Sequence, residues 1–195
     1  MDHRAQLLHY LDRGRAAVVR AVSGLDEYDA RRPLTPSGTN LLGLVKHLAT
    51  VEHGYVACTA YPVDLEIAWS DDASLDANEE LWLTPDQTSD EILDLYAAVA
   101  AQTGRAARLL PPDAPATVRW WRDPETTFDR LLVHLVSETA QHAGHLEILR
   151  EGLDGQADLA DEADPERGDA WRLEYSRRIE EAAVPFRGAG RRVRG

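Results

Sequence analysis

The chain has 195 residues and a formal net charge of −13, with 44% hydrophobic and 28% charged residues: a soluble, globular balance, long enough for one domain with a sizeable core. So acidic a surface repels nucleic acid and anionic membrane, which excludes both as partners. The one cysteine, Cys58, cannot form an internal disulfide, no apolar run reaches membrane-spanning length, and the start MDHRAQLLHY lacks a signal-peptide core, so the expected location is a reducing cytoplasm.

The first predicted helix covers about residues 2 to 23. Leu8, Leu11, Val18, Val22 and Leu25 recur at helical spacing there. DEYDARRPLTPSGT follows and reads as a loop, broken by prolines and glycine. Thr39 or Asn40 then caps a second helix that runs to about Cys58, with Leu41, Leu44, Val45, Leu48, Val51 and Tyr55 along one side. Residues 60 to 87 form a long acidic connection. Connections of that length are functional or hold short helices of their own, and Trp69, Leu81 and Trp82 point to partial packing.

A third helix starts near Asp86 or Ser89, where TSDE reads as a capping box, and continues to about Leu110. The next loop contains RWWRD. A fourth helix runs from near Pro124 or Glu125 to about Leu153, and a fifth covers Ala170 to Ala183. No segment shows the alternation of a strand. The expected fold is therefore all-α, a four-helix bundle with a short extra C-terminal helix. The bundle occupies residues 1–155. An acidic loop and the C-terminal helix, packed on the bundle, occupy 156–187. Residues 188–195 are expected to be a disordered basic tail.

The fourth helix carries the informative anomaly, in LLVHLVSETAQHAGHLEILREG. On a helical wheel Leu131, Leu135, Leu146, Leu149 and Leu153 share one narrow sector, the core face. Glu138 and His142 fall inside that sector, and His134 and His145 at its edge. Burying such groups without partners costs about 2–7 kcal/mol each. A divalent metal would compensate, and residues four apart on a helix are close enough to chelate one ion. A third ligand has to come from another helix. His47 stands toward the edge of the second helix's buried side; Glu52, at its opposite edge, is the weaker candidate, and His53 falls on the polar side as a surface residue.

Two histidines and one carboxylate with an open position are the pattern of a catalytic zinc site, and the same set accepts Ni2+, Fe2+ or Mn2+. His134 and His145 would orient the ligands from behind or be satisfied core histidines. Trp120 and Trp121, with Tyr55, are candidate walls of a pocket for an apolar substrate; packing of the loop on the bundle is the other reading of the two tryptophans.

PSGTNLLGLVKHLATVEHGYV and LLVHLVSETAQHAGHLEILREGLDG resemble the two signature helices of the DinB superfamily of metal-binding four-helix bundles. More narrowly, they resemble an actinobacterial branch related to mycothiol-dependent maleylpyruvate isomerase. The resemblance extends from about Arg31 to Gly155. It implies helices in up-down-down-up order, zinc or a similar divalent ion, and a homodimer. The superfamily's ligands, one histidine on the second helix and an E/H-x-x-x-H pair on the fourth, fall on His47, Glu138 and His142. Relatives that use a low-molecular-weight thiol imply mycothiol as co-substrate and an electrophilic small molecule as substrate, with S-transfer or isomerisation as the reaction. No second domain of useful size follows the bundle, so isomerisation of maleylpyruvate itself is not expected. The alternatives are a metal-dependent hydrolase and a metal- or small-molecule-binding accessory protein without turnover.

Overall fold

The computed structural model describes residues 2–155 and 168–187. It divides into two units, Met1–Leu159 and Ala160–Gly195. In the first unit the helices are α1 (His3–Val22), α2 (Glu27–Arg31), α3 (Leu41–Ala57), α4 (Asp72–Asp76), α5 (Ser89–Leu109) and α6 (Phe128–Asp154). A 3-10 turn at Glu79–Leu81 follows α4. Two short strands, β1 (Pro115–Thr117) and β2 (Glu125–Thr127), pair antiparallel before α6. The second unit contains α7 (Asp169–Ala183), where Trp171 stacks on Tyr175 and Arg177 bridges Glu174 and Glu181. The expected acidic loop, apart from α7 and the residues beside it, and the basic tail lie outside the described residues.

Local chemistry accounts for the helix starts. Asn40 caps α3 by accepting a hydrogen bond from the Gly43 amide, 2.7 Å. Thr88 and Glu91 form the expected capping box of α5. At the other end of α6, Gly155 takes φ +76°, a left-handed conformation suited to glycine.

Side-chain pairs give the direction of each long helix. Arg4 pairs with Asp129 and Arg150 reaches the carbonyls of Ala21 and Ser23, so α1 and α6 run parallel. They touch closely at Gly14, where a Cβ would stand 2.9 Å from Thr139 Cγ2. Glu52 meets Thr103 and His53 meets Gln102, while Lys46 reaches Gln87 just before α5, so α3 and α5 are also parallel. Leu11 packs with Tyr55, and Val18 and Val22 with the start of α3, which makes α1 and α3 antiparallel. The order is up-down-down-up, and the long connections make the parallel neighbours possible. Burial of Leu11, Leu41, Leu48, Ile92, Leu131 and Leu146, at about 1.5–3 kcal/mol per side chain, holds the bundle together.

Several sequence expectations need correction, beginning with DEYDARRPLTPSGT, which is not all loop because Glu27–Arg31 form α2 behind the Asp26 cap. The hairpin contradicts the absence of strands: its strands are three residues long, too short for alternation to show, and the Thr59–Ala116 bridge ties it to the end of α3. The same pairing draws Glu125–Thr127 into β2, so α6 begins at Phe128 rather than near Pro124. His53 is buried at 8% exposure, not on the surface. Helix α3 is enclosed by its neighbours and has almost no polar side, so the wheel misplaced this residue.

The long connection is anchored to α3. Buried Lys46 donates to the carbonyls of Glu79 (2.6 Å) and Trp82 (2.8 Å), and its ammonium sits 4.1 Å from the centre of the Trp69 ring. Trp69 in turn donates to Thr50 Oγ1, whereas Trp82 stays about half exposed. Gly43 lets the loop backbone come against the helix: a Cβ there would lie 1.9 Å from the Leu81 carbonyl oxygen.

Candidate metal centre

Helix α3 contributes His47, and α6 contributes Glu138 and His142. The buried stripe of α6 runs through Leu131, Leu135, Thr139, Ala143 and Leu146. Glu138 and His142 therefore flank that stripe instead of occupying its middle, because small Thr139 and Ala143 take the middle. The pair faces α3 and the anchored loop. Glu138 Oε1 lies 3.1 Å from His142 Nε2 and 3.8 Å from His47 Nε2. The two imidazoles meet edge to face, centroids 5.0 Å apart. One ligand atom from each of the three residues lies within 4.8 Å of the others. Donors on a single tetrahedral zinc stand about 3–4 Å apart, so this cluster fits a metal site with little rearrangement.

Burial pushes the His142 pKa below its ordinary value, His47 adds to the effect, and Glu138 opposes it. A neutral imidazole keeps its lone pair free for an ion. His47 has a second neighbour that sequence reasoning missed. Glu80, in the 3-10 turn, is 8% exposed and places Oε1 3.7 Å from His47 Nδ1. Both His47 Nδ1 and Glu80 Oε2 are buried without a hydrogen-bond partner. No pattern in DANEEL separates Glu80 from Glu79. Its position comes from Lys46 and Gly43, which hold the loop.

The remaining candidates divide. Glu52 points elsewhere: it is buried, ion-paired with Arg15, and accepts from Thr103 Oγ1 at 2.5 Å, so it does not join the His47 cluster. His145 is exposed, with Nδ1 3.4 Å from His142 Nδ1. His134 lies away from the cluster, its ring against Tyr55 (4.6 Å) and Trp121 (5.2 Å). Trp121 packs, donating to the Tyr55 hydroxyl at 3.2 Å. Trp120 is 63% exposed and lines a cavity of about 460 Å³ with Tyr55, His134, His47 and Glu138. One tryptophan thus packs and the other walls a cavity at the cluster.

A family model described as mycothiol-S-transferase matches residues 6–155. The chain belongs to this family. The match runs from within the first turn of α1 to the glycine that ends α6 and includes every residue of the cluster. Among solved structures, a conserved protein from Enterococcus faecalis resembles this mycothiol S-transferase family member with a TM-score of 0.56. That match covers 80% of this chain and 99% of the other at 15% identity, so the likeness is one of fold. A search of curated proteins finds no match. No helix among the described residues is long and apolar enough to cross a membrane.

Proposed function

We propose that this protein is a metal-dependent S-transferase that joins mycothiol to an electrophilic small molecule. The observation that carries the reading is the His47–Glu138–His142 cluster opening onto an apolar cavity, in a chain of this family. The three residues are assigned as ligands of one ion, through His47 Nε2, His142 Nε2 and a Glu138 carboxylate oxygen. Zinc suits two imidazoles, one carboxylate and an open position. Such an ion lowers the pKa of a thiol, so that thiolate is present at neutral pH.

The protein's own residues do the rest. Burial favours the neutral form of His142, the form that can coordinate. Glu80 faces His47 Nδ1 and would accept its N–H, which directs the Nε2 lone pair at the ion. His145 supports the His142 ring from its Nδ1 side. Tyr55 and Trp120 offer ring faces for an apolar electrophile to pack on. The sulfur bonds to the electrophilic carbon as the bond to the leaving group breaks, and the thiol's hydrogen ends on the departing group.

Thermal-shift measurements on zinc-loaded protein against mycothiol, bacillithiol and glutathione test the thiol. A ligand at about 100 times its Kd adds about 2.7 kcal/mol of stability. Mycothiol is expected to raise the unfolding midpoint of the loaded protein and not of chelator-treated protein. No shift with any of the three thiols would overturn the reading.

Glu80→Gln tests the positioning role. Loss of a carboxylate behind a ligating histidine costs about 10–100-fold in metal affinity. Competition with a chromophoric chelator should show that loss in a variant whose helical circular dichroism is unchanged. An affinity equal to wild type would remove Glu80 from the site.

A further inference from the structure

The segment from Leu75 to Trp82 is a wall with a cavity on each side. Leu75 and Glu80 line the cavity of about 460 Å³ that holds Tyr55 and Trp120. Ala77, Asn78, Leu81 and Trp82 line a second cavity, of about 650 Å³. Both end at the metal-ligand cluster. His47 and Glu138 face the first cavity, and His142 faces the second.

The wall is fixed rather than loose. Lys46 holds the carbonyls of Glu79 and Trp82, and Asn40 Nδ2 holds that of Leu81 at 3.0 Å. Asn78 turns the chain between α4 and the 3-10 turn with φ 56°, a left-handed conformation that asparagine tolerates better than most residues.

The two cavities differ in chemistry. The first is walled by the rings of Tyr55, Trp120 and His134 and by Val51 and Leu75, with Glu80 and Glu138 as its charged groups. The second offers the hydroxyls of Ser37 and Thr39 and the amide of Asn78, all uncharged, while the Asn40 amide in its wall is engaged with Gly43 and Leu81. Among the described residues, no lysine or arginine lines either one. Apart from an ion held by the cluster, a carboxylate or phosphate on the electrophile would find no positive side chain there, and Glu80 would repel it.

We propose that the wall sorts the two co-substrates. The hydroxyl-rich sugar–inositol body of mycothiol lies in the second cavity, where neutral donors and acceptors match a polyol. The first cavity takes an uncharged electrophile bearing an aromatic or similar apolar group. Dicarboxylates such as maleylpyruvate are rejected. This inference rests on the S-transfer reading and specifies its substrate class.

Two substitutions that fill a cavity and one that opens a cavity test it on the zinc-loaded full chain. Gly54 lines the first cavity, and a Cβ there meets nothing within 4 Å, so Gly54→Phe fills that cavity from a helix. Trp120→Ala, at an exposed ring, reads the same cavity independently. Ala77→Phe, at an exposed position, fills the second cavity. Calorimetry gives the Kd for mycothiol. Steady-state rates with chlorodinitrobenzene, a neutral aromatic electrophile, give the KM for the aromatic substrate.

Ala77→Phe is expected to weaken mycothiol by about tenfold or more and to leave the aromatic KM near wild type. Gly54→Phe and Trp120→Ala are expected to raise the aromatic KM by a similar factor and leave the mycothiol Kd unchanged. A carboxylate on the ring, as in chlorodinitrobenzoate, should lower kcat/KM about tenfold or more relative to its uncatalysed reactivity. Variants on the two sides that shift the same ligand equally, or a carboxylate accepted as well as the neutral ring, would overturn the sorting while leaving S-transfer intact. Wild-type protein that binds no mycothiol at all would overturn S-transfer and the sorting together.

Discussion

His142→Ala is expected to strip the protein of its metal. Purified wild-type protein should carry about one divalent ion per chain, the occupancy of a site with three protein ligands. His142 lies within 3.1 Å of Glu138 and stacks edge to face on His47, so it links the two helices of the cluster. Its removal leaves one donor on each helix. The affinity should fall by more than the roughly 10–100-fold that outer partners contribute. Metal analysis after dialysis reads the loss. Alanine suits a helix at that position, and the side chain flanks the core stripe instead of filling it, so circular dichroism should remain that of wild type. Full metal retention in this variant would sink the ligand assignment.

Glu52→Ala is expected to do the opposite, weakening the fold while sparing the metal. Glu52 neutralises Arg15, with Arg15 Nε 3.2 Å from Glu52 Oε2, and accepts from Thr103 at 2.5 Å. Both ion-pair partners are buried. Removing one member of a buried pair leaves the other charge uncompensated, at about 3–5 kcal/mol. Asp12 also contacts Arg15 but is mostly exposed, so it offsets little of this. In a chain of this size each kcal/mol shifts the unfolding midpoint by about 2–4 °C. A drop of roughly 10 °C should follow in a melting scan, with the metal content of the folded fraction unchanged. Metal lost in proportion to Glu52, with stability preserved, would place this carboxylate among the ligands instead.

The contrast between these two residues marks where sequence reasoning ends. Glu138 and His142 are four apart on one helix, and the helical repeat alone places them side by side. The capping box at Thr88, the Asn40 cap and the extent of α3 and α5 are local as well, because short-range hydrogen bonds and apolar spacing decide them. The resemblance in the two signature helices carried the bundle order. On α3 the reading put His47 ahead of Glu52 but misplaced His53, and the three are only six positions apart. A wheel ranks them by polarity and assumes one wet side. Helix α3 is packed on nearly every side, so His53 is buried against Gln102, Glu52 is taken by Arg15, and His47 alone of the three reaches α6.

Glu80 and the two cavities were beyond the sequence for a related reason. Their residues are far apart in the chain and meet only because Lys46 holds the loop carbonyls and Gly43 admits the loop backbone. Neither contact leaves a periodic trace. By itself, the sequence determined the four long helices, the capping box of α5 and the neighbouring pair on α6. The tertiary structure decided which residue of α3 faces that pair, which carboxylate stands behind it, and how the anchored loop divides the space around it. Covalent spacing along a helix sets the first group, and long-range packing sets the second.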